Sequence, residues 1–341
     1  MRITTIEVLN DTFIRVTTDE GMVGHGFQRL AAHVVEDVVR PALVGKDPFA
    51  IERLLQIGLL KWLGVEHALW DIVGKSAGLP VYKLLGGDKE RIKVYLTCVW
   101  EGDADQSHIT PEQQAEQAVA YLEKGYKAMK IRAWRLDPMA DVAAVKAIKD
   151  AVGDRMDVMV DRTAQYPGSV WDYGTAYRVA RELEDLGASW LEEPFHRGDV
   201  VESARLAEIV ELPITGGEGD KGLKKFRDYL VHNSFDIVQP DAYTSGGILT
   251  TRKIGAMAEA FGKKCNLHGS NGFGLAAGLQ ISAAMPNCDL MEIAHVTPPL
   301  TPEEHWESAN AMIKDPPLFE IEDGYIKIPQ KPGLGIELKD G

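Results

Sequence analysis

No stretch of this 341-residue chain is long and apolar enough to span a bilayer, and the opening "MRITTIEVLN" lacks the apolar core of a signal peptide. Basic charge is also short. Against 51 Asp and Glu stand 37 Lys and Arg, and the formal net charge of −14 argues against a nucleic-acid or anionic-membrane partner. Cysteine is scarce: Cys98, Cys265 and Cys288 show no metal-ligand spacing. An odd count in short strand-like runs reads as reduced, buried thiols in a cytoplasmic protein. Low-complexity segments are missing, and so is a Gly-rich phosphate loop, although "HGSNGFG" (His268 to Gly274) imitates one. What remains is an ordinary globular composition, 45% hydrophobic and 26% charged, in a chain long enough for a barrel-sized domain plus a smaller one.

The chain divides by rhythm. "ITTIEVLN" and "TFIRVTT" alternate as a strand hairpin around a turn at Asp11, and "DEGMVGHGF" reads as a Gly-rich loop. From about 32 to 77 the pattern is helical, and Gly78 and Pro80 stop it. From about 92, eight short runs rich in Val, Ile, Leu and Met alternate with amphipathic helices such as "PEQQAEQAVAYLEKG" and "YGTAYRVARELEDLG". The runs are "KVYLTCV", "KAMKIR", "MDVMVD", "SWLEEP", "LPITGGE", "FDIVQP", "KCNLHG" and "CDLMEI". This regular alternation means an α/β chain with a parallel sheet, and at eight strands a closed barrel is favoured over an open one. After about 310 the chain returns to short strands and turns that pack back on the N-terminal part.

In such a barrel, chemistry collects at the C-terminal strand ends. Strand two carries Lys130 and Arg132 on one face; strand three ends in Asp161, strand four in Glu192-Glu193, and strand five runs into Glu218. Asp241 follows strand six, His268 ends strand seven and Glu292 ends strand eight. Period-two alternation places Trp190 with Glu192 inside and Leu191 outside, and puts Met159 with Asp161, Asn266 with His268, and Leu290 with Glu292 inside. A single strand-end acid reads more readily as the partner of a neighbouring Lys or Arg. Three in succession, Asp161, Glu192 and Glu218, repel one another without a cation, and an all-oxygen set suits Mg²⁺, with Mn²⁺ as the alternative. Asp241 and His268 form a second constellation, a carboxylate fixing the tautomer of an imidazole. The weaker signals are "TSGG" (Thr244 to Gly247), read as a helix N-cap before a binding nest, and His25 and His196, read as solvated loop residues.

These residues resemble the enolase superfamily, and within it the mandelate racemase-like group. "ALWDIVGKSAGLPVYKLLGG" (Ala68 to Gly87) is similar to that family's end of the capping domain. "VMVD", "WLEEP", "GGE", "QPD" and "LHGS" match its strand-end motifs in order, and "PGLGIEL" (Pro332 to Leu338) its closing segment. The resemblance implies an α+β capping domain (1–90), a (β/α)7β modified TIM barrel (91–310) and a C-terminal segment (311–341) on the cap. It implies Mg²⁺ on the positions matching Asp161, Glu192 and Glu218, a homo-oligomer, and abstraction of the proton α to a substrate carboxylate. Glu292 matches the position that, protonated, hydrogen-bonds that carboxylate.

Two departures bear on the reaction. Where the racemases carry Lys-x-Lys on strand two, this chain has Arg132, and the cap before "EHALWD" is short. Racemisation needs a base on each face of the α-carbon, and an arginine stays a cation. His268, assisted by Asp241, then remains as the clear base, taking the α-proton and returning a proton to a departing β-hydroxyl. Lys130 and Arg132 hold the carboxylate, although Arg132 would also lower the pKa of Lys130 toward use as a second acid or base. The expectation is dehydration of a sugar acid to a 2-keto-3-deoxy acid. A cycloisomerase or racemase/epimerase on the same enediolate is the alternative, and a catalytically silent metal and ligand binder the remote one. Substrate stereochemistry is read by loops around Gly21 to Gly26 and by "VWEGDADQSHIT" (Val99 to Thr110).

Overall fold

In the computed structural model, alternation over the first residues builds a three-stranded antiparallel sheet: β1 (Ile3–Leu9), β2 (Phe13–Thr18) and β3 (Val23–Phe27). The structure describes residues 1–10, 12–100, 109–163, 170–269, 274–316 and 319–339; the turn at Asp11 lies outside them, as do most of the Val99 to Thr110 stretch and Ser270 to Phe273. β3 occupies the stretch expected to be a Gly-rich loop. Its glycines serve close packing: a Cβ on Gly24 would lie 2.1 Å from Ala68 O, and one on Gly26 1.8 Å from Gly64 O. Both oxygens belong to the helix Leu63–Ala77, which lies against the strand. His25, expected in a solvated loop, sits half-buried on β3 instead, with its backbone N–H donating to Asp71 Oδ2 at 2.9 Å.

Residues 32–77 are helical in pieces rather than throughout. A π-helical turn (Val35–Val39) leads into Arg40–Leu43, and Ile51–Gln56 and Leu63–Ala77 follow. The break falls at "VGKDPFA", where Gly45 has φ +79° and Pro48 disfavours helix in the residue before it. Gly78 ends the last helix as expected: it adopts φ +68°, and its N–H bonds back to Gly74 O and Lys75 O.

The eight expected barrel strands form: β4 (Arg91–Cys98), β5 (Ala128–Arg132), β6 (Asp157–Asp161), β7 (Leu191–Glu192), β8 (Ile214–Gly216), β9 (Ile237–Val238), β10 (Lys264–Cys265) and β11 (Leu290–Val296). Each pairs in parallel with the next from β4 to β10, and β11 returns to pair with β4. The seam between β10 and β11 closes differently. Asn266 Oδ1 accepts from the N–H groups of Asp289 (3.1 Å) and Leu290 (3.3 Å), and Cys265 N–H donates to Asn287 O at 3.0 Å. Two of the intervening helices start on caps written in the local sequence. Thr110 and Gln113 form a capping box for Pro111–Glu123, and Asp172 caps Tyr173–Asp185.

Alternation sorts the strand side chains into two layers. Tyr95, Ala128, Met159, Trp190, Ile237 and Leu290 make a small cluster inside the barrel. Met129, Ile131, Val158, Val160, Leu191 and Ile214 join the main core under the helices. The inner plug fills the barrel below its C-terminal mouth, and truncating Trp190 to Ala there costs about 3–5 kcal/mol. Among the described residues the three cysteines form no disulfide, and all three are buried.

Beyond the barrel, β12 (Ile321–Glu322) and β13 (Tyr325–Lys327) form a hairpin whose β13 runs antiparallel to the start of β4. The chain end also reaches the helix Leu63–Ala77. Leu334 N–H donates to Asp71 Oδ1 at 2.9 Å, and Val81 N–H to Gly333 O at 2.9 Å. Among the described residues no helix is long and apolar enough to cross a membrane.

Candidate active site

β5 carries the cationic side of the mouth. Because Ala128 faces the barrel interior, Lys130 and Arg132 do too, while Met129 and Ile131 turn outward. Lys130 Nζ donates to Glu192 Oε1 (2.9 Å) and Oε2 (2.8 Å) and lies 3.6 Å from carboxylate oxygens of both Asp161 and Glu292. Arg132 Nη1 donates to Asp161 Oδ2 at 2.7 Å and to Thr163 Oγ1. Thr163 donates in turn to Asp161 Oδ1 at 2.6 Å from a backbone at φ +48°. The lowering of Lys130 expected from Arg132 does not occur. Burial opposes its charge, but Glu192, Glu292 and Asp161 together hold its pKa well above the usual lysine value.

Opposite this pair the acids converge. Asp161 ends β6, Glu192 ends β7 and Glu218 follows β8; each offers an oxygen within 4.8 Å of the others, and all three are buried. Glu192 also accepts from Gln239 Nε2 (2.9 Å) and Trp190 Nε1 (3.1 Å), so it is the inward member of the Glu192-Glu193 pair. Burial pushes Glu192 up to about 7, against the pull of Lys130. Glu193 turns aside at φ +46° and meets Arg197 Nε at 2.7 Å; Arg197 also reaches Glu218. Burial and the neighbouring Glu218 raise Glu193 well above the carboxylate range. Burial works against Glu218 as well, yet His268, Lys130 and Arg197 hold it below that range. Three hard oxygen donors on successive strand ends, buried and converging within 4.8 Å, fit a divalent cation such as Mg²⁺ or Mn²⁺.

The third group is the imidazole side. His268 Nδ1 lies 2.9 Å from Asp241 Oδ2, and Asp241 Oδ1 accepts from the N–H groups of Tyr243 (2.5 Å) and Thr244 (3.0 Å). The turn thus aims the carboxylate, and the carboxylate orients the ring. His268 Nε2 points at the acids, 2.8 Å from Glu218 Oε2 and 3.6 Å from Glu292 Oε2. Burial opposes a charge on His268, but Glu218, Glu292 and Asp241 hold it well above the usual histidine value.

Glu292 faces the same mouth, 3.6 Å from Lys130 Nζ. It accepts from Thr97 Oγ1 and from Gly269 N–H at 2.9 Å, and His295 Nε2 lies 3.1 Å from its Oε1. Burial favours the neutral acid, but Lys130, His295 and His268 outweigh it and hold Glu292 well below the carboxylate range.

Sequence reasoning singled out Asp161, Glu192, Glu218, Lys130, Arg132, Asp241, His268 and Glu292, and the structure brings all eight to one mouth. It missed Thr163, Gln239, Arg197 and His295. The spacing of Glu193 and Arg197, four apart, was the one local signal for Arg197. His196 is exposed, as expected. "TSGG" does open a helix, Gly247–Ala260, but its first N–H groups are satisfied from a distance: Glu66 accepts from Ile248 (3.0 Å) and Leu249 (3.1 Å).

Comparison with known proteins bears on this geometry. Residues 113–341 match the family model described as enolase C-terminal domain-like, and residues 1–86 the mandelate racemase/muconate lactonizing enzyme N-terminal domain. The chain is 30% identical over 347 residues to the arabinonate dehydratase of Saccharolobus solfataricus, covering 96% of this chain and 87% of that one. It is 28% identical to the 3,6-anhydro-alpha-L-galactonate cycloisomerase of Streptomyces coelicolor, covering 95% and 88%. The crystal structure of D-glucarate dehydratase from Agrobacterium tumefaciens complexed with magnesium superposes with a TM-score of 0.83 at 26% identity, over 99% of this chain and 94% of that one. This chain is an enzyme of the enolase superfamily and belongs to its mandelate racemase/muconate lactonizing enzyme family.

Proposed function

We propose that the protein dehydrates a sugar acid to its 2-keto-3-deoxy acid, with Asp161, Glu192 and Glu218 holding Mg²⁺ (Mn²⁺ as a substitute). The observation that carries this reading is the asymmetry of the two walls. On β5 both cations are tied to acids, Lys130 to Glu192 and Arg132 to Asp161. After β10, one imidazole is oriented by Asp241 with its second nitrogen turned into the mouth. One base facing a cationic wall suits elimination better than racemisation, which needs a proton acceptor on both faces.

His268 Nε2 takes the proton from the carbon α to the substrate carboxylate, while Asp241 holds Nδ1 and stabilises the imidazolium. Lys130 and Arg132 place positive charge where the carboxylate oxygens become more negative, and their burial makes that charge count. The bound divalent ion supplies further fixed positive charge to those oxygens. The electron pair left on the α-carbon forms the C=C bond as the β-hydroxyl takes one proton from an imidazolium at the mouth and departs as water, and the resulting enol tautomerises to the 2-keto acid. Domain roles follow the same reading: residues 1–90 cap the mouth of a barrel spanning 91–310, with 311–341 tying the two together.

The test is a panel of C4 to C6 mono- and diacid sugars with Mg²⁺, assayed for new 2-keto acid, with an EDTA-treated sample alongside. Turnover of at least one member that stops on chelation and returns with Mg²⁺ is expected. The likeness to a cycloisomerase keeps a second reading open, isomerisation from the same enediolate, and isomer formation with no keto acid from any member would select it.

A further inference from the structure

Elimination of water needs a proton for the departing hydroxyl as well as a base for the α-proton, and with Nδ1 held by Asp241 His268 has one nitrogen, Nε2, to serve both. A second imidazole stands beside it. His295, on β11, lies edge-on to the His268 ring with centroids 5.8 Å apart. Glu292 sits between the two, with Oε2 3.6 Å from His268 Nε2 and Oε1 3.1 Å from His295 Nε2. One nitrogen of each ring and one oxygen of Glu292 lie within 4.8 Å of one another. That spacing matches the substituents of two adjacent carbons, one carrying the α-proton and the next the β-hydroxyl. The side chain of His295 is 33% exposed against 17% for His268, while its Nε2 is buried beside Glu292.

We infer that His295 is the general acid of the dehydration, delivering its Nε2 proton to the β-hydroxyl while His268 removes the α-proton. This rests on the dehydratase reading above and divides its two proton transfers between two side chains. The C–H bond breaks toward His268 and the C–O bond breaks toward the oxygen. The hydroxyl leaves as water with the His295 proton, and the imidazole left neutral takes up a proton from water before the next turnover. Glu292 serves as the shared acceptor that keeps both rings turned into the mouth. Because β10 and β11 are neighbours across the barrel seam, both transfers occur on one side of the substrate, and the elimination is syn.

The test uses the full-length Mg²⁺-loaded protein on the sugar acid returned by the panel, in D2O, with His295→Asn and His295→Gln beside His268→Asn. Both His295 variants should lose about 100-fold or more in dehydration, the usual scale for one general acid, yet still wash deuterium into the α-position of recovered substrate. His268→Asn should lose both. A β-fluoro analogue sharpens the distinction, since fluoride leaves without a proton: the His295 variants should recover elimination on it, and His268→Asn should not. Wild-type rates of water loss in both His295 variants, or loss of fluoride elimination together with water elimination, would overturn the assignment. A wild-type protein that neither exchanges nor eliminates on any panel member would instead remove the dehydratase reading itself.

Discussion

The two ends of the barrel use the same eight strands and treat charge in opposite ways. At the N-terminal end, Lys93 meets Asp157 (2.6 Å), Lys263 meets Asp236 (3.1 Å) and Lys264 meets Asp289 (2.7 Å), each pair partly open to water. They rim a cavity of about 520 Å³ that reaches Trp190 and Leu290 of the inner plug. At the C-terminal end Asp161, Glu192, Glu193, Glu218, Asp241 and Glu292 are all buried. Among the described residues, the permanent cations that reach them are Lys130, Arg132 and Arg197. Matched, solvent-screened pairs ask nothing of a ligand. A buried surplus of carboxylates does, because negative charges that water cannot screen repel one another until a cation arrives. The difference in function between the two ends is a difference in charge balance, and it can be broken from either side.

The largest effect is expected at the surplus. Glu192→Gln removes one of the three converging oxygens and the partner of Lys130. Divalent affinity should fall by more than the roughly 10–100-fold that losing even an outer partner of a metal ligand costs, and turnover should fall with it. Calorimetric titration with Mg²⁺ checks the first, and the keto-acid assay the second.

A buried acid outside the mouth sharpens the comparison. Glu66, on the helix Leu63–Ala77, is satisfied by N–H donors rather than a cation: Ile248, Leu249 and Trp70 Nε1 (2.9 Å). Burial raises it from an ordinary 4.5 to about 7, and lowers its neighbour His67 from 6.5 to about 4. The signs oppose. The raised Glu66 contributes stability below pH 4.5 that is lost as pH rises through 7, whereas the lowered His67 contributes stability above pH 6.5 that is lost as pH falls through 4. Between pH 4.5 and 6.5 the two slopes cancel in the intact protein. Glu66→Gln should expose the His67 slope, so stability relative to wild type climbs with pH by about 3 kcal/mol across that window. His67→Gln should show the reverse slope. Urea unfolding at three pH values reads both, and parallel profiles for the two variants would be evidence against a neutral pair.

The smallest effect is expected at the N-terminal end. Lys264→Ala breaks an exposed pair and should change unfolding free energy by less than about 1 kcal/mol, with kcat unaltered. A loss of turnover there would erase the contrast between the two ends.

The legible parts of this site were those written in strand periodicity. Alternation alone chose Glu192 over Glu193 as the inward acid and placed Lys130, Arg132, Asp161, His268 and Glu292 around one mouth. It was silent where the backbone leaves a strand: Glu193 and Thr163 adopt positive φ, and from there Glu193 swings to Arg197. β3 was illegible because its buried face is made of Gly24 and Gly26, which carry no hydrophobic signal. Glu66 was illegible for a third reason. In "GVEHALWD" it looks like any helical glutamate, and its partners lie some 180 residues further along the chain.

The central claim, that the C-terminal mouth removes a proton α to a carboxylate, meets its most direct test in deuterium incorporation. Sugar acids incubated with Mg²⁺-loaded enzyme in D2O are recovered and read by proton NMR, with His268→Asn in parallel. The account predicts loss of the α-proton signal and appearance of 3-deoxy-2-keto acid with wild type, and neither with the variant. Keto acid formed at equal rate by the His268→Asn variant would contradict it, because the α-proton would then be leaving to some other group.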